Sequence, residues 1–178
     1  MPARLGPPLL VLDFDGVISI SDGALTAVQR LRRNAVERVD RIVRTTGAAV
    51  VASTTWRYDP TTNTGHKAPR LTEWLRMFGF TGEIAGITPH LPHGRRALEI
   101  QSYLDSLPLL PRALCILEDW EPMEHLTPWT VRTDYDRRLT ETDAALAIAL
   151  LKMRGAHARP ARAPRRPAQG QATSVSTR

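Results

Sequence analysis

Residues 9–17 read Leu9-Leu10-Val11-Leu12-Asp13-Phe14-Asp15-Gly16-Val17, an apolar run that ends in two carboxylates and a glycine. A short run of Leu and Val without polar alternation predicts a strand buried on both faces, as in a parallel α/β sheet. Ligands bind beyond the carboxyl ends of such strands, so we expect Asp13 and Asp15 to stand at a site. Because two carboxylates so close repel each other, Mg²⁺ is their natural partner. The alternative is that both are ordinary strand-end and turn residues.

Two further apolar runs end in polar groups that suit a phosphate or a metal ion. Residues 48–52 lead into Ser53-Thr54-Thr55-Trp56-Arg57, which offers hydroxyls, backbone donors and a guanidinium. Residues 114–117 lead into Glu118-Asp119, a second acidic pair. Because the carboxyl ends of parallel strands meet at one edge of a sheet, we expect these groups to join the site that the first acidic pair begins.

A pair of arginines, Arg95 and Arg96, precedes a segment over residues 97–104 in which apolar side chains recur at helical spacing. Cations at the start of a helix oppose the positive end of the helix dipole. We therefore expect a bound anion or an acidic cluster to favour them in that position.

The connecting segments are too short to form a second domain. Residues 24–44 carry an apolar stripe among many arginines and predict one helix. The stretch between the second strand and Arg95 predicts a polar loop over 59–69, a helix over 71–78 and a short strand over 83–87. The sequence thus predicts an α/β fold with a mainly parallel sheet and no large cap domain over the site.

Length and composition favour one cytoplasmic domain. The chain has 178 residues and a single cysteine, Cys115, which lies in an apolar strand pattern and is interpreted as a core residue. The N-terminal apolar segment runs directly into the acidic motif, which is typical of neither a signal peptide nor a membrane span. The sequence contains no glycine-rich phosphate loop, which argues against a kinase of the P-loop type.

Charge is concentrated at the C-terminus. From Lys152 onwards lie seven of the 24 basic residues and none of the 18 acidic ones. Residues 154–178 are rich in Pro, Ala and Arg and lack apolar periodicity, so we expect a disordered basic tail behind a folded domain over residues 1–153. Such a tail binds nucleic-acid phosphates without sequence preference, or simply aids solubility.

Several short motifs occur in the order and spacing of a known family. The motifs are the first acidic stretch over residues 9–17, Thr46-Gly47-Ala48, Ser53 to Arg57, Arg96 with Glu99-Ile100 and Tyr103-Leu104, Leu117-Glu118-Asp119, and Val131 to Asp134 with Leu139-Thr140. With them the chain resembles the haloacid dehalogenase-like (HAD) phosphohydrolase superfamily, and within it the small HAD domains of Swiss-army-knife RNA repair proteins. The resemblance covers roughly residues 8–152 and implies a three-layer α/β/α sandwich with a Rossmann-like sheet.

The resemblance also implies roles for the acidic residues. Asp13 would be the nucleophile that forms an aspartyl-phosphate, and Asp15 the general acid and then the general base. Mg²⁺ would be held by Asp13, by the backbone carbonyl of Asp15 and by Asp119. The family usually has an aspartate at the position of Glu118, whose longer arm could reach the ion, pair with Arg95 or crowd the site.

For the phosphate-binding groups, the resemblance leaves two candidate residues open in each of two motifs. The second-motif hydroxyl would be Thr54 or Ser53, with Thr54 preferred, and Arg57 would bind substrate. The third motif would be Arg95 or Arg96, although the family usually has lysine there and a guanidinium has a different geometry. Three further residues, His66, Lys67 and Arg70, would contact a large substrate or lie as solvated loop residues.

The function implied by the resemblance is that of a HAD-type phosphatase. It would be a Mg²⁺-dependent phosphomonoesterase acting on an RNA or DNA end phosphate or on a nucleotide, because members without a cap accept bulky substrates. One alternative is a phosphatase of small metabolites, whose substrate a lid or partner would have to enclose. Another is a catalytically silent domain that recognises nucleic acid.

Overall fold

Five strands form one parallel sheet in the computed structural model, which describes residues 4–20, 22–57, 66–92 and 94–153. The strands are β1 (Leu9–Leu12), β2 (Ala49–Ala52), β3 (Ile84–Ile87), β4 (Leu114–Glu118) and β5 (Thr130–Arg132). Their spatial order is β3-β2-β1-β4-β5, and every neighbouring pair is parallel. The predicted parallel sheet is therefore confirmed, with the first strand at its centre.

The central strand is apolar throughout because both of its faces are covered. Leu10 and Leu12 point into one core, whereas Leu9 and Val11 point into a second core on the other face. The register aligns Leu12 with Ala52 of β2 and with Leu117 of β4. The residues that follow these three therefore leave the sheet side by side.

Helices cover both faces of the sheet and complete three layers. They are α1 (Ala27–Arg30), α2 (Arg33–Thr46), α3 (Ala68–Arg76), α4 (Arg96–Ser106) and α5 (Glu141–Lys152). Side chains of α2, α3 and α5 pack into the core that contains Leu10 and Leu12. The other face is covered by α4 and by a 3-10 helix over Glu124–Trp129. The predicted α/β/α sandwich is confirmed, and the helices and strand predicted over 71–78, 83–87 and 97–104 are present with slightly shifted ends.

The single helix predicted over residues 24–44 is wrong, because the chain breaks between α1 and α2. The backbone N–H of Ile20 donates to the carbonyl of Arg30, and the N–H of Arg32 donates to the carbonyl of Ile18. Ser19 and Leu31 form an isolated antiparallel bridge between these bonds. The carbonyl of Arg30 and the N–H of Arg32 thus bond to the segment over residues 18–20, so they are not available for the hydrogen bonds of one continuous helix.

No large cap domain is present among the described residues. Between β1 and α2, the residues that the structure describes form a compact turn and the four-residue α1. No described helix combines the length and the apolar composition that a membrane span needs. The tail predicted over 154–178, and most of the polar loop predicted over 59–69, lie outside the described residues.

Cys115 is buried in β4 as predicted, and burial raises the pKa of its thiol to about 12. Because the thiolate is the reactive form, we expect no measurable labelling by iodoacetamide at pH 8 in the folded protein and full labelling in denaturant. Mass spectrometry of the intact chain measures the labelled fraction. Rapid labelling without denaturant would show that this strand is accessible.

Candidate active site

Three carboxylates gather where β1 and β4 end. One ligand oxygen from each of Asp13, Glu118 and Asp119 can be chosen so that all lie within 4.8 Å of one another. Burial raises the pKa of Asp13 well above its ordinary value, and the nearby charge of Glu118 raises it further, while Arg96 opposes both effects. Burial likewise raises the pKa of Glu118 to about 7. An oxygen-only donor set with excess negative charge fits a hard divalent cation such as Mg²⁺.

Gly16 leaves the space that Asp119 occupies. Its φ is +73°, and a Cβ atom built there would lie 2.1 Å from Oδ2 of Asp119. The hydroxyl of Thr133 donates to the Gly16 carbonyl at 3.1 Å and ties this turn to the segment after β5. Only a residue without a side chain fits here, because any Cβ would displace the aspartate.

If these carboxylates hold Mg²⁺, Gly16→Ala is expected to weaken its binding by about 10- to 100-fold, the range for changes that disturb metal ligands from outside the ligand shell. The measurement is the dissociation constant for Mg²⁺ from isothermal titration calorimetry. Gly47→Ala is the matched control, because Gly47 has a similar φ of +67° but open space around its Cβ position. Equal Mg²⁺ affinity in the two variants would show that backbone strain, and not displacement of Asp119, causes any loss.

Arg96 is the cation that lies at the carboxylates. Its Nη2 is 3.6 Å from Oδ1 of Asp13, and its Nε is 3.7 Å from Oε2 of Glu118. Its Nη1 is 3.7 Å from Oε2 of Glu99, one turn along α4. The side chain is only 8% exposed. The sequence predicts that a bound anion or an acidic cluster stabilises the cations at the start of this helix. For Arg96 the structure shows the acidic cluster.

Arg95 lies elsewhere. Its guanidinium pairs with Glu124, and its side chain is 56% exposed. The structure thus brings Arg96 and not Arg95 beside Asp13. The expected alternative in which Glu118 pairs with Arg95 is also not observed, since Glu118 faces Arg96.

One oxygen of Glu118 organises the loop that carries Asp119. Its Oε1 accepts from the backbone N–H groups of Asp119, Trp120 and Glu121, each at 3.2 Å. These bonds satisfy three donors that β4 leaves unpaired at its end. The two acidic residues therefore have different structural roles. Glu118 holds the turn through these hydrogen bonds, whereas the side chain of Asp119 lies beside Gly16.

Asp15 lies outside the group of three carboxylates and is held by partners of its own. Its carboxylate accepts from Ser19 Oγ at 2.8 Å and from the indole Nε1 of Trp56 at 2.9 Å. Arg30 lies 3.8 Å from the same carboxylate and also stacks over the Trp56 ring. With 28% of its side chain exposed, Asp15 is oriented by these groups and remains accessible to a ligand.

The two second-motif hydroxyls, Ser53 and Thr54, are both buried. The N–H of Ser53 donates to the carbonyl of Leu12, which extends the ladder and leaves Ser53 beside Asp13. Its Oγ accepts from Thr88 at 3.2 Å, and Thr54 Oγ1 accepts from the N–H of Trp56 at 3.3 Å. Each hydroxyl accepts a hydrogen bond here, so its own proton is left for another acceptor.

Arg57 is tied into a buried network. It donates from Nη2 to Glu99 Oε2 at 2.6 Å and from Nη1 to Thr88 Oγ1 at 2.8 Å. Glu99 also accepts from the N–H of Leu91 at 3.0 Å. Thr88 links Arg57 to Ser53 by hydrogen bonds, and Glu99 links Arg57 to Arg96 by ion pairs. Both arginines line a cavity of about 190 Å³. That cavity is lined by Thr55, Arg57, His90, Gly94, Arg96, Glu99 and Glu121.

Sequence reasoning missed Thr88 and the contacts to Asp15, and it quoted Glu99 as a motif residue without assigning its contacts to Arg57 and Arg96. Thr88 directly follows β3 at the same sheet edge, a placement that could have identified it. Two of the three residues predicted to contact a large substrate lie against the ring of Trp74. His66 packs edge-to-face on this ring at 4.7 Å, and Arg70 stacks on it at 5.4 Å. Lys67 precedes α3 as its N-cap.

A comparison with models of known protein families gives one match. The model described as the HAD domain in Swiss Army Knife RNA repair proteins matches residues 9–144. No curated protein matches the chain. Because the match runs from β1 into α5 and includes Asp13, Arg96, Glu118 and Asp119, the chain belongs to the family of HAD domains found in Swiss Army Knife RNA repair proteins.

Proposed function

We propose that this protein is a Mg²⁺-dependent phosphomonoesterase that acts through an aspartyl-phosphate on Asp13, with nucleic-acid ends or nucleotides as substrates. The observation that carries the proposal is the position of Asp13, which joins Glu118 and Asp119 in a group of carboxylates that could hold a metal ion and lies 3.6 Å from the buried guanidinium of Arg96. The RNA repair context of the family supports the nucleic-acid substrate.

Asp13, Asp119 and the backbone carbonyl of Asp15 are the proposed ligands of Mg²⁺, and Glu118 holds the loop that carries Asp119. When bound, the ion supplies positive charge that offsets the repulsion between the attacking carboxylate and the phosphate dianion. Arg96 contributes a second, permanent positive charge from the α4 side. Thr54 is the proposed second-motif hydroxyl, and Ser53 donates beside it to the phosphate oxygens.

In the first step, a carboxylate oxygen of Asp13 attacks phosphorus and the bond to the leaving oxygen breaks. Asp15 gives its proton to that oxygen, which departs as an alcohol. In the second step, Asp15 takes a proton from water while the water oxygen attacks the phosphoryl group. Inorganic phosphate leaves, and both carboxyl groups return to their starting states. The Trp56 and Ser19 contacts orient Asp15 for both transfers.

The test is phosphate release, with and without Mg²⁺, from 3′- and 5′-phosphorylated oligonucleotides beside mononucleotides and sugar phosphates. We expect release that depends on Mg²⁺ and is fastest on oligonucleotides. Preference for a sugar phosphate would assign the protein to metabolite hydrolysis. If no substrate releases phosphate while oligonucleotides bind, the domain is a silent nucleic-acid reader and the proposal is wrong.

Asp15→Asn is expected to lower turnover by about 10²- to 10⁴-fold, the usual contribution of general acid–base catalysis. In single-turnover measurements of the first step, p-nitrophenyl phosphate should be partly spared because its leaving group needs little protonation. An alkyl phosphate should lose the full amount. Equal losses for both substrates would contradict the assignment of Asp15 as the general acid.

A further inference from the structure

Trp120 is the most exposed large apolar side chain among the described residues. It is 81% exposed, whereas the other large apolar residues at the surface reach at most 62%. Indole rings are among the most effective sources of buried apolar area in proteins, so one left in water is unusual. This ring directly follows Asp119, and its Cα is therefore only about 3.8 Å from that of a proposed metal ligand.

The backbone that carries Trp120 is anchored on both sides. Its own N–H donates to Glu118 Oε1 at 3.2 Å. Arg132 donates from Nη1 to the carbonyl of Asp119 and from Nη2 to the carbonyl of Glu121, each at 2.8 Å. A ring displayed from a backbone held in this way can accept a ligand without the entropic cost of ordering a loop.

The surroundings of Trp120 favour a small flat ligand over a protein. Its sequence neighbours Asp119 and Glu121 are acidic, and the exposed Arg132 lies against the same loop. A stable protein interface needs a broad, well-packed patch, with charged residues depleted at its centre. A single aromatic face among charged groups suits one stacked ring.

We propose that Trp120 stacks on the terminal base of a single-stranded nucleic acid whose end phosphate lies at Asp13. This inference rests on the proposed function and names the substrate feature that the same site recognises. In a terminal nucleotide the base and the phosphate are attached to one sugar, and Trp120 directly follows Asp119 in the chain, so the proposed base and phosphate contacts come from neighbouring residues. Because every base has a π face, recognition is tolerant of base identity.

The test compares the wild type with Trp120→Ala and Trp120→Phe on oligonucleotides that carry an end phosphate. Each oligonucleotide is made in two forms, with an intact terminal nucleotide and with an abasic one. On the intact form, Trp120→Ala should raise KM about tenfold, the size expected for loss of one base–aromatic stack, and Trp120→Phe should raise it less. On the abasic form, KM values of the wild type and Trp120→Ala should agree within about twofold.

Met77→Ala is the control, since Met77 is an exposed apolar residue at the end of α3 and should leave KM unchanged on both forms. Oligonucleotide binding is also followed by quenching of tryptophan fluorescence in the wild type and in Trp120→Phe, which requires no turnover. In the wild type, the intact form should quench the fluorescence more than the abasic form does, and this difference should be lost in Trp120→Phe. That result supports stacking even if no phosphate is released.

Three results would overturn the inference. The first is an unchanged KM of Trp120→Ala on intact ends that the wild type hydrolyses, which leaves the proposed function standing. The second is an equal rise in the KM of Trp120→Ala on intact and abasic ends, which would show that the indole ring contacts a part of the substrate other than the terminal base. The third is a change in oligomeric state, measured by light scattering, with oligonucleotide binding unaltered, which makes Trp120 a protein contact.

Discussion

Replacing Asp13 by Asn is expected to lower Mg²⁺-dependent phosphate release by at least about a thousandfold, because an amide cannot form the aspartyl-phosphate. The fold should be retained, since Asn has nearly the same shape. Burial and the Glu118 charge raise the pKa of Asp13, so the ionised carboxylate is costly in the metal-free protein. The variant should therefore unfold at no lower a temperature than the wild type when Mg²⁺ is absent.

The measurements are phosphate release under saturating substrate and thermal unfolding followed by circular dichroism. Mass spectrometry of acid-quenched wild type should detect one added phosphoryl group, and the variant should show none. Retention of near wild-type turnover in a folded Asp13→Asn protein would remove Asp13 from the mechanism.

Replacing Arg96 by Ala is expected to lower the free energy of unfolding by about 3–5 kcal/mol, the usual cost of removing one partner from a buried ionic group. The guanidinium lies within 3.7 Å of carboxylate oxygens on Asp13, Glu99 and Glu118, all of which are buried. Without it, the three carboxylates would lose the cation that they share, and Arg57 would remain as a partner of Glu99. Denaturant unfolding in the absence of Mg²⁺ measures this loss.

Arg95→Ala is the matched control, because the two arginines are adjacent in the chain. Its pair with Glu124 is exposed, so we expect a loss below about 1 kcal/mol and little change in turnover. Arg96→Lys keeps the charge without the planar fork and should recover part of the stability, which separates an effect on catalysis from a failure to fold. Loss of turnover in Arg95→Ala with normal turnover in Arg96→Lys would reverse the assignment.

The central features of the fold could be predicted from local sequence. The apolar runs over β1, β2 and β4 are continuous because a parallel sheet between two helical layers buries both faces of its strands. Each run ends abruptly where the chain leaves the sheet, so its polar successors mark one edge. For the same reason Asp13 could be placed beside Glu118 and Asp119 from the sequence.

Contacts between distant segments could not be predicted in this way. The apolar stripe over residues 24–44 is compatible with one helix, and only the backbone pairing of Ile18 and Ile20 with Arg30 and Arg32 interrupts it. Likewise, one of the residues that orient Asp15 is Trp56, which lies 41 positions along the chain. Such pairings depend on where the sheet register brings two loops, which no local pattern encodes.

The sequence by itself determined the order of the strands along the chain, the sheet edge that carries the site, and the family, because these follow from burial patterns and short motifs. The tertiary structure alone decided which of two adjacent arginines faces Asp13. Both have the same charge and chemistry, and they differ only in their direction from the start of α4. Arg96 turns inward to the carboxylates, whereas Arg95 turns outward to Glu124. A buried cation is stabilised by the acidic groups around it, and those groups come together only when β1, β4 and α4 pack.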